Sequence, residues 1–267
     1  MYPFKIMSSV FYHRKLIIQL SKKEIKAKYK GSYLGFLWSL ITPIIMLLIY
    51  TLVFGVIFQS KWDIEVNNTH YFAMVLFIGL TTFNIFSEVI VGSVNIISNN
   101  VNYVKKVIFP LEILPIVVLC TSLFQNSINF LIIIAFSFLF LDIFSISILI
   151  LPFYMLPFLL SIIGISWIIS SVGVYIKDLN QVIGSLISGL LFLSPVFYPL
   201  EAIPDKFKPY FDLNPLTIII SDVRRIVLFG EIPSVLSWCG ALIISVLILS
   251  LGYKFFNSVK RGFSDVL

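Results

Sequence analysis

The sequence predicts an all-α integral membrane protein with six transmembrane helices and with the N- and C-termini in the cytoplasm. Three observations predict this class: 59% of the 267 residues are hydrophobic, only 12% are charged, and the mean hydropathy is +1.02. Such a chain has too little polar surface to form a water-soluble globule of this length. In lipid, a helix satisfies every backbone N–H and C=O within its own segment, so each long apolar run is predicted to be helical. One membrane domain is expected to fill residues 1–267.

Residues 1–33 form the first predicted element, a cytoplasmic amphipathic segment with a helix at the membrane interface. Eight Lys and Arg residues precede Ser32, and charged side chains cross a bilayer only at high cost. The charge-free run 34–58 follows directly, and at about 1.5 Å per residue it outspans the hydrocarbon core of roughly 30 Å. Because a cleavable signal peptide has a shorter apolar core followed by a small-residue site, we expect this first span to be retained.

The remaining runs with few charges predict five more transmembrane helices, at residues 71–94, 113–141, 146–175, 182–198 and 235–256. When Lys254 is assigned to the inner end of the last span, 14 of the 19 Lys and Arg residues fall on the inner side and 5 on the outer side. This asymmetry fits the positive-inside rule for six spans. An odd number of spans would place Lys260 and Arg261 outside, against that bias.

The connections between spans are unequal in length. Residues 142–145 form only a tight external turn, whereas residues 199–234 are long enough to hold an external re-entrant helical hairpin. Within the hairpin, Asn214 suits an N-cap, Pro215 suits the first helical position and Gly230 suits the end, so residues 216–229 are predicted as a helix. The preceding span is the shortest of the six, which favours a hairpin that dips back under cover of protein. A helix lying flat on the membrane is the alternative.

Candidates for catalysis or metal binding are few. Cys120 and Cys239 lie in apolar runs without a second Cys or a His nearby, so neither a disulfide framework nor a metal site is expected. The polar residues of the spans include no carboxylate pair and no nucleophile beside a base. We therefore expect a protein that is not an enzyme.

Polar residues inside the spans concentrate on spans two and three. Glu88 is the only acid well inside a span, which marks it either as a functional group or as the partner of a basic residue at the cytoplasmic surface. Thr121, Gln125 and Asn129 recur every four residues on span three and share one face. That face indicates either interhelical hydrogen bonds or a polar lining.

Aromatic residues at the outer depth of spans one and five are candidates for lining a transport path. The six candidates are Tyr50, Phe54, Phe58, Phe192, Phe197 and Tyr198. The first three follow an i, i+4, i+8 pattern and so share a helix face. Their flat rings would offer sugars a weakly holding surface, while an ordinary aromatic belt at the membrane interface is the alternative.

The inner loop at residues 95–112 is the candidate docking site for a soluble partner. It is predicted to contain a short coupling helix that stops at Pro110 and combines an apolar face with lysines. The candidate docking residues are Tyr103, Val104, Lys105, Lys106, Val107 and Phe109. A rigid, partly apolar projection suits docking into a groove of a partner, although an ordinary basic inner loop has the same composition.

Three motifs carry a family resemblance. Residues 26–43, KAKYKGSYLGFLWSLITP, resemble the start of span one in ABC-2 type polysaccharide export permeases, which transport O-antigen, capsule and teichoic acid polymers. Residues 105–110, KKVIFP, look like the family's loop after span two. Residues 194–199, SPVFYP, together with Asn214-Pro215, look like its span-five exit and external hairpin.

The resemblance implies a homodimer that encloses a transport path, with two ATPase subunits docked beneath it on the N-terminal helix and the 95–112 loop. It implies an undecaprenyl-linked glycan as substrate and the bacterial inner membrane as location, and the KGSYLG form favours an O-antigen-like polymer. This chain has no G-x-x-x-x-G-K-[ST] motif, so ATP and Mg²⁺ are expected on the partner ATPase and no cofactor in this chain. Membrane lipids are further expected partners, and nucleic acid is not.

Other functions remain open at this point. A teichoic acid or capsule exporter of the same family would share these motifs. An ion-coupled transporter or channel would need broken helices or several carboxylates near the midplane. A membrane glycosyltransferase would need clustered acids for a metal-bound nucleotide sugar, and the acidic residues outside the spans are scattered.

Overall fold

The computed structural model describes residues 2–57, 69–105, 109–141 and 146–267, and every regular element within these ranges is helical. Short 3₁₀ and π-helical turns join or extend the α-helices. The helices are α1 Tyr2–Tyr12, α2 Arg14–Tyr29, α3 Trp38–Tyr50, α4 Thr69–Val94, α5 Val101–Val104, α6 Ile113–Leu141, α7 Leu151–Tyr154, α8 Leu156–Tyr175, α9 Leu179–Phe192, α10 Lys208–Asp212, α11 Pro215–Arg224, α12 Val235–Val259 and α13 Phe263–Val266.

Five helical stretches in the described part of the chain are long and apolar enough to cross a membrane. They are Gly35–Phe54, His70–Val94, Ile113–Phe140, Ile146–Tyr175 and Val235–Val266. They correspond to spans one, two, three, four and six of the sequence prediction, and the all-helical fold class is confirmed. The predicted external turn at residues 142–145 lies outside the described residues.

The fifth predicted span differs from the structure. Helix α9 begins at Leu179 and ends at Phe192, so the prediction that it continues to Tyr198 is wrong. Pro195 explains this end, because proline has no N–H to donate and disfavours helical geometry in the residue before it. The 14 residues of α9 extend about 21 Å, which is less than a hydrocarbon core of roughly 30 Å. The six-span count and the cytoplasmic termini therefore stay predictions.

Helix α4 lies at the centre of the bundle. It packs against α3, α6, α8 and α11, and all nine residues from Tyr71 to Gly79 are buried. Two-thirds of its most apolar window, 67%, is covered by the rest of the chain, compared with 17% for span one. Two spans of similar apolar composition therefore occupy different positions: span two is in the core, and span one is at the periphery of the bundle.

Helices α8 and α12 form the closest pair in the fold. A Cβ at Gly164 would lie 2.6 Å from the Ile248 carbonyl oxygen, and one at Gly252 would overlap the Gly164 carbonyl. Without these side chains the two backbones approach directly, which is the usual basis of tight helix packing in membranes.

The N-terminal helices pack on the end of the bundle that is predicted to face the cytoplasm. Helix α2 packs against α6, and α1 packs against α12. A second apolar cluster, which includes Ile17, Trp167 and Phe256, connects these helices. On α2 only Ile17 and Ser21 are buried, while its lysines are exposed. This arrangement fits the amphipathic segment predicted for residues 1–33.

Candidate functional site

The aromatic candidates on span one point toward α4 within the same chain. The Phe54 ring lies 5.6 Å from the ring of Phe72 on α4, and Tyr50 is half-buried against the main apolar core. Phe58 lies outside the described residues. Span one therefore turns two of these rings toward its neighbour, and their proposed contact with a transported polymer stays a prediction.

The aromatic candidates on span five gather just after the end of α9. The rings of Phe192 and Phe197 are 5.9 Å apart, and the Tyr198 hydroxyl donates a hydrogen bond to the Phe192 carbonyl. Phe192 is 66% exposed, whereas Phe197 and Tyr198 are half-buried. Phe192 is consequently the ring most available to a second chain, to lipid or to a substrate.

The helix predicted at residues 216–229 is present with the predicted ends. Asn214 Oδ1 accepts a hydrogen bond from the Leu216 N–H at 3.0 Å, Pro215 is the first helical residue, and Gly230 ends the helix with φ = +69°. Residues 225–229 are wound as a π-helix, which the sequence did not indicate. Asn214 Nδ2 also donates to the Leu193 carbonyl at 3.2 Å, so the cap connects α11 to the end of α9.

Arg224 is a buried cation that sequence reasoning did not single out. Its Nε donates to the Val75 carbonyl at 3.1 Å, Nη1 to Pro195 at 2.6 Å and Nη2 to Val196 at 2.9 Å. The side chain is 6% exposed, and a Cβ at Gly79 would overlap its Nη2. Arg224 thus supplies donors to carbonyls of the non-helical segment after α9, which lipid cannot satisfy. The available signal was an arginine next to apolar runs, although Asp222 and Arg225 in the same helical stretch are charged as well.

Helix α11 runs alongside α4 in the opposite direction. The Phe229 ring lies 6.5 Å from Tyr71, near the start of α4, while Arg224 reaches Val75 and Gly79 further along. Gly79 is ten residues from the start of α4 at Thr69, or about 15 Å along the helix.

Two residues of the fourth predicted span also form hydrogen bonds with the hairpin. The Tyr154 hydroxyl donates a hydrogen bond to the Asp222 carboxylate, and Ser147 Oγ donates to the Gly230 carbonyl at 2.7 Å.

Between α9 and α11, the exposed ammonium of Lys208 lies 2.7 Å from Asp205. The hydrogen bond from Lys208 lowers the pKa of the Asp205 carboxyl.

A cleft of about 280 Å³ separates span one from α4 and α6. One wall is a stripe on α3 with a four-residue repeat, and the facing wall is a stripe on α4. The lining residues are Lys28, Tyr29, Trp38, Thr42, Pro43, Met46, Tyr50, Phe77, Leu80, Asn84, Glu88, Gln125 and Asn129. The cleft is polar around Asn84, Glu88 and Gln125 and apolar around Tyr50, Phe77 and Leu80.

Glu88 is held by neutral groups of α6. Its Oε2 accepts hydrogen bonds from Ser122 Oγ at 2.8 Å and from Asn126 Nδ2 at 3.3 Å. In the described part of the chain, Glu88 is therefore hydrogen-bonded to neutral side chains, which differs from the predicted alternative of pairing with a basic residue. Asn126 in turn accepts from Asn129 Nδ2 at 3.2 Å, so a chain of polar groups crosses from α4 into α6.

The polar face predicted on span three divides between two roles. Gln125 and Asn129 line the cleft, and Gln125 accepts a hydrogen bond from the Tyr29 hydroxyl of α2. Thr121 instead donates to the Val117 carbonyl of its own helix at 2.8 Å. The polar-lining interpretation is therefore correct for Gln125 and Asn129, and the interhelical hydrogen bond of the other interpretation is also present at Gln125.

The described part of the candidate docking loop contains a short helix. Helix α5 is one turn long, and the Tyr103 ring stacks on Phe109 with centroids 4.4 Å apart. Lys23 Nζ lies 6.0 Å from the Tyr103 ring centroid, and Tyr103 and Val104 pack against the second apolar cluster. Lys105 is exposed. Lys106 and Val107 lie outside the described residues, and the docking role of the loop stays a prediction.

The fold is that of a multi-pass helical membrane protein, and comparison with known families identifies the family to which the chain belongs. The ABC-2 type transporter family matches residues 15–228. The chain belongs to this family of membrane transporter subunits, as the motifs at its first span, inner loop and hairpin predicted.

Individual relatives extend this similarity over nearly the whole chain. The O-antigen export system permease protein RfbA of Myxococcus xanthus is 26% identical over 263 residues, which cover 98% of each chain. A protein of the same name from Klebsiella pneumoniae is 26% identical over 269 residues, or 98% of this chain and 99% of that one. The polysialic acid transport protein KpsM of Escherichia coli is 28% identical over 216 residues, or 79% of this chain and 80% of its own.

Proposed function

We propose that the chain is the membrane-spanning permease subunit of an ATP-driven exporter. Its substrate is a lipid-linked, O-antigen-like polysaccharide, which it moves from the cytoplasmic to the outer face of the bacterial inner membrane. The observation that carries this proposal is the end-to-end similarity to proteins named O-antigen export permeases. Export of a capsule-type polymer is the second candidate, favoured by the similarity to a polysialic acid transport protein.

In this proposal two copies of the chain enclose the path. Span one supports this arrangement because only 17% of its most apolar window is covered within one chain. Phe192 at the end of α9 is similarly uncovered. The second copy would cover part of these surfaces, with lipid on the remainder.

The ATP-driven step belongs to a separate subunit in this proposal, because the chain has no phosphate-binding loop. Two ATPase subunits would dock on the exposed basic side of α2 and on the neighbouring loop that contains Lys105. The closeness of Lys23 to the Tyr103 ring supports one continuous surface formed by both elements.

The hairpin at residues 199–234 is proposed to be re-entrant and to border the outer end of the path. Its support is the lengthwise packing of α11 on α4, with Arg224 reaching as far as Gly79. A helix lying flat on the membrane surface would cross α4 at one point and would not follow it.

The function is tested by deleting the gene in its host and measuring both surface glycan and glycan still linked to its lipid carrier. We expect loss of the surface polymer with accumulation of the carrier-linked form inside the cell. Inactivating the phosphate-binding lysine of the partner ATPase should reproduce that result. Surface polymer at the wild-type level in the deletion strain would contradict the proposal.

A further inference from the structure

We infer that the cleft between α3 and the α4–α6 pair binds an inner-leaflet lipid with one apolar chain and a sugar phosphate head. The inference rests on the proposed function, which supplies lipid-linked glycan as the class of ligand. The cleft lies within one chain, and its lining residues include Tyr50, one of the aromatic residues considered for a path between two copies.

The shape of the cleft fits one hydrocarbon chain. Its α3 wall extends from Trp38 to Tyr50, twelve residues or about 18 Å along the helix. The volume of about 280 Å³ is distributed along this length, so the cleft is long and narrow. A long, narrow cleft suits one hydrocarbon chain better than a sugar polymer or a two-chain phospholipid tail.

The polarity of the cleft changes along its length in the direction a lipid requires. Tyr50, Phe77 and Leu80 form the apolar end, at the C-terminal end of α3 and toward the middle of α4. Glu88 lies six residues from the end of α4 at Val94, near the predicted cytoplasmic interface. A lipid of the inner leaflet has its head at that interface and its chain toward the bilayer centre, which matches this gradient.

The polar end carries groups that suit a sugar phosphate. The Glu88 carboxylate and the amides of Asn84, Gln125 and Asn129 can pair with hydroxyl groups, and Asn129 Oδ1 is a buried acceptor without a hydrogen-bond partner among the described residues. Lys28 supplies an ammonium for a phosphate.

Two further features favour a sugar over a bare phosphate head. Trp38 lines the cleft and is 41% exposed, and an indole is a suitable surface for the apolar face of a sugar ring. The Glu88 carboxylate would repel a phosphate placed directly beside it, whereas sugar hydroxyls donate to a carboxylate. A sugar near Glu88 and a phosphate near Lys28 would satisfy both groups.

The experiment uses the full chain, purified with its ATPase, in phosphatidylcholine nanodiscs. The probe is N-acetylglucosamine linked to farnesyl diphosphate and radiolabelled in the sugar, and its binding is measured at equilibrium. We expect saturable binding that weakens about tenfold in Glu88→Ala and in Asn84→Ala, because each removes a hydrogen-bonding group for the sugar. Met46→Trp should weaken it by a similar factor by filling the chain-binding end.

The controls separate lipid recognition from general damage. Asp265→Asn removes an exposed carboxylate on α13, outside the cleft, and should leave the dissociation constant within about twofold. Asn84 is exposed, so Asn84→Ala serves as the test if Glu88→Ala does not fold. Binding unchanged in both Asn84→Ala and Met46→Trp would overturn the inference.

Competition identifies the source of the head group. Unlabelled farnesyl diphosphate should compete at least tenfold less well than the probe, and phosphatidylglycerol should compete weakly. Equal competition by either one would overturn sugar recognition and leave a general lipid site. Wild-type export without saturable probe binding would contradict the cleft assignment alone, and surface polymer in the deletion strain would contradict the proposed function alone.

Discussion

Spans one and two have similarly apolar sequences, but span one lies at the periphery of the fold and span two at its centre. Both are apolar over membrane length, but 17% of the first and 67% of the second is covered by the chain. Span two carries Gly79, Thr82 and Glu88, which allow close approach and hydrogen bonding, whereas span one is mainly Leu, Ile and Met between Trp38 and Tyr50. Because lipid solvates Leu as well as protein does, small and polar residues decide which span is central.

The largest expected effect concerns the arginine that binds to span two. Arg224→Met should lower the free energy of unfolding by about 3 kcal/mol or more, because it removes the guanidinium donors to the buried carbonyls of Val75, Pro195 and Val196. Thermal unfolding of the purified protein in detergent measures the loss. Arg224→Lys should recover only part of it, since an ammonium cannot reproduce the guanidinium fork. An unchanged melting temperature in Arg224→Met would show that the three hydrogen bonds of Arg224 do not contribute to stability.

A matched pair of substitutions tests the comparison directly. Ile78 on span two is fully buried and Ile45 on span one is 44% exposed, so the same change to Ala samples the two environments. We expect Ile78→Ala to cost about 2 kcal/mol or more and Ile45→Ala less than about 0.5 kcal/mol in isolated protomers. Unfolding in detergent at low protein concentration measures both. Equal losses would mean that the two spans are equally covered.

Gly79 offers a smaller test of the same centre. Gly79→Ala places a methyl group where Arg224 Nη2 lies, so we expect a loss of about 1–3 kcal/mol through displacement of the guanidinium. Gly240→Ala on α12 is the control, because nothing lies within 4 Å of its added Cβ. If both variants unfold alike, the contact between Gly79 and Arg224 has no energetic weight.

The smallest expected effect lies at the exposed pair in the hairpin. Lys208→Ala should return the Asp205 pKa toward its ordinary value without changing the melting temperature, because exposed ion pairs contribute little. Since the pair lowers the Asp205 pKa, any stabilisation would be present at neutral pH and lost as the pH falls through that lowered value. Melting temperatures at pH 7 and pH 3 measure it. A clear loss at pH 7 alone would show that the pair stabilises the hairpin.

Local signals in the sequence predicted much of the fold. The cap at Asn214 and the end at Gly230 were correct because each depends on the residue's own backbone and side-chain preferences. The end of α9 was missed because hydropathy continues past Phe192, while Pro195 interrupts the backbone. Apolar content alone does not report where a helix stops.

The candidate site was predictable only where one helix defines it. Gln125 and Asn129 share a face by spacing, and both line the cleft. The partners of Glu88 and Arg224 come from other helices, and no local pattern encodes such contacts. The docking role of Tyr103 stays a prediction, and the stacking of its ring on Phe109 within the chain is a contact that the sequence did not indicate. Side-chain direction in that loop depends on packing against α2, which spacing cannot show.

Cross-linking between two copies tests most directly the claim that span one is uncovered because a second chain meets it. Single cysteines replace Leu40, Ile44, Ile45, Leu48, Ile49 and Leu52 in a Cys120→Ser, Cys239→Ser background, and oxidation in native membranes is followed by dimer formation on gels. The account predicts cross-linked dimers at positions three or four residues apart, on one face of α3, and none for the buried control Ile78→Cys. Monomer at every position of span one would contradict it.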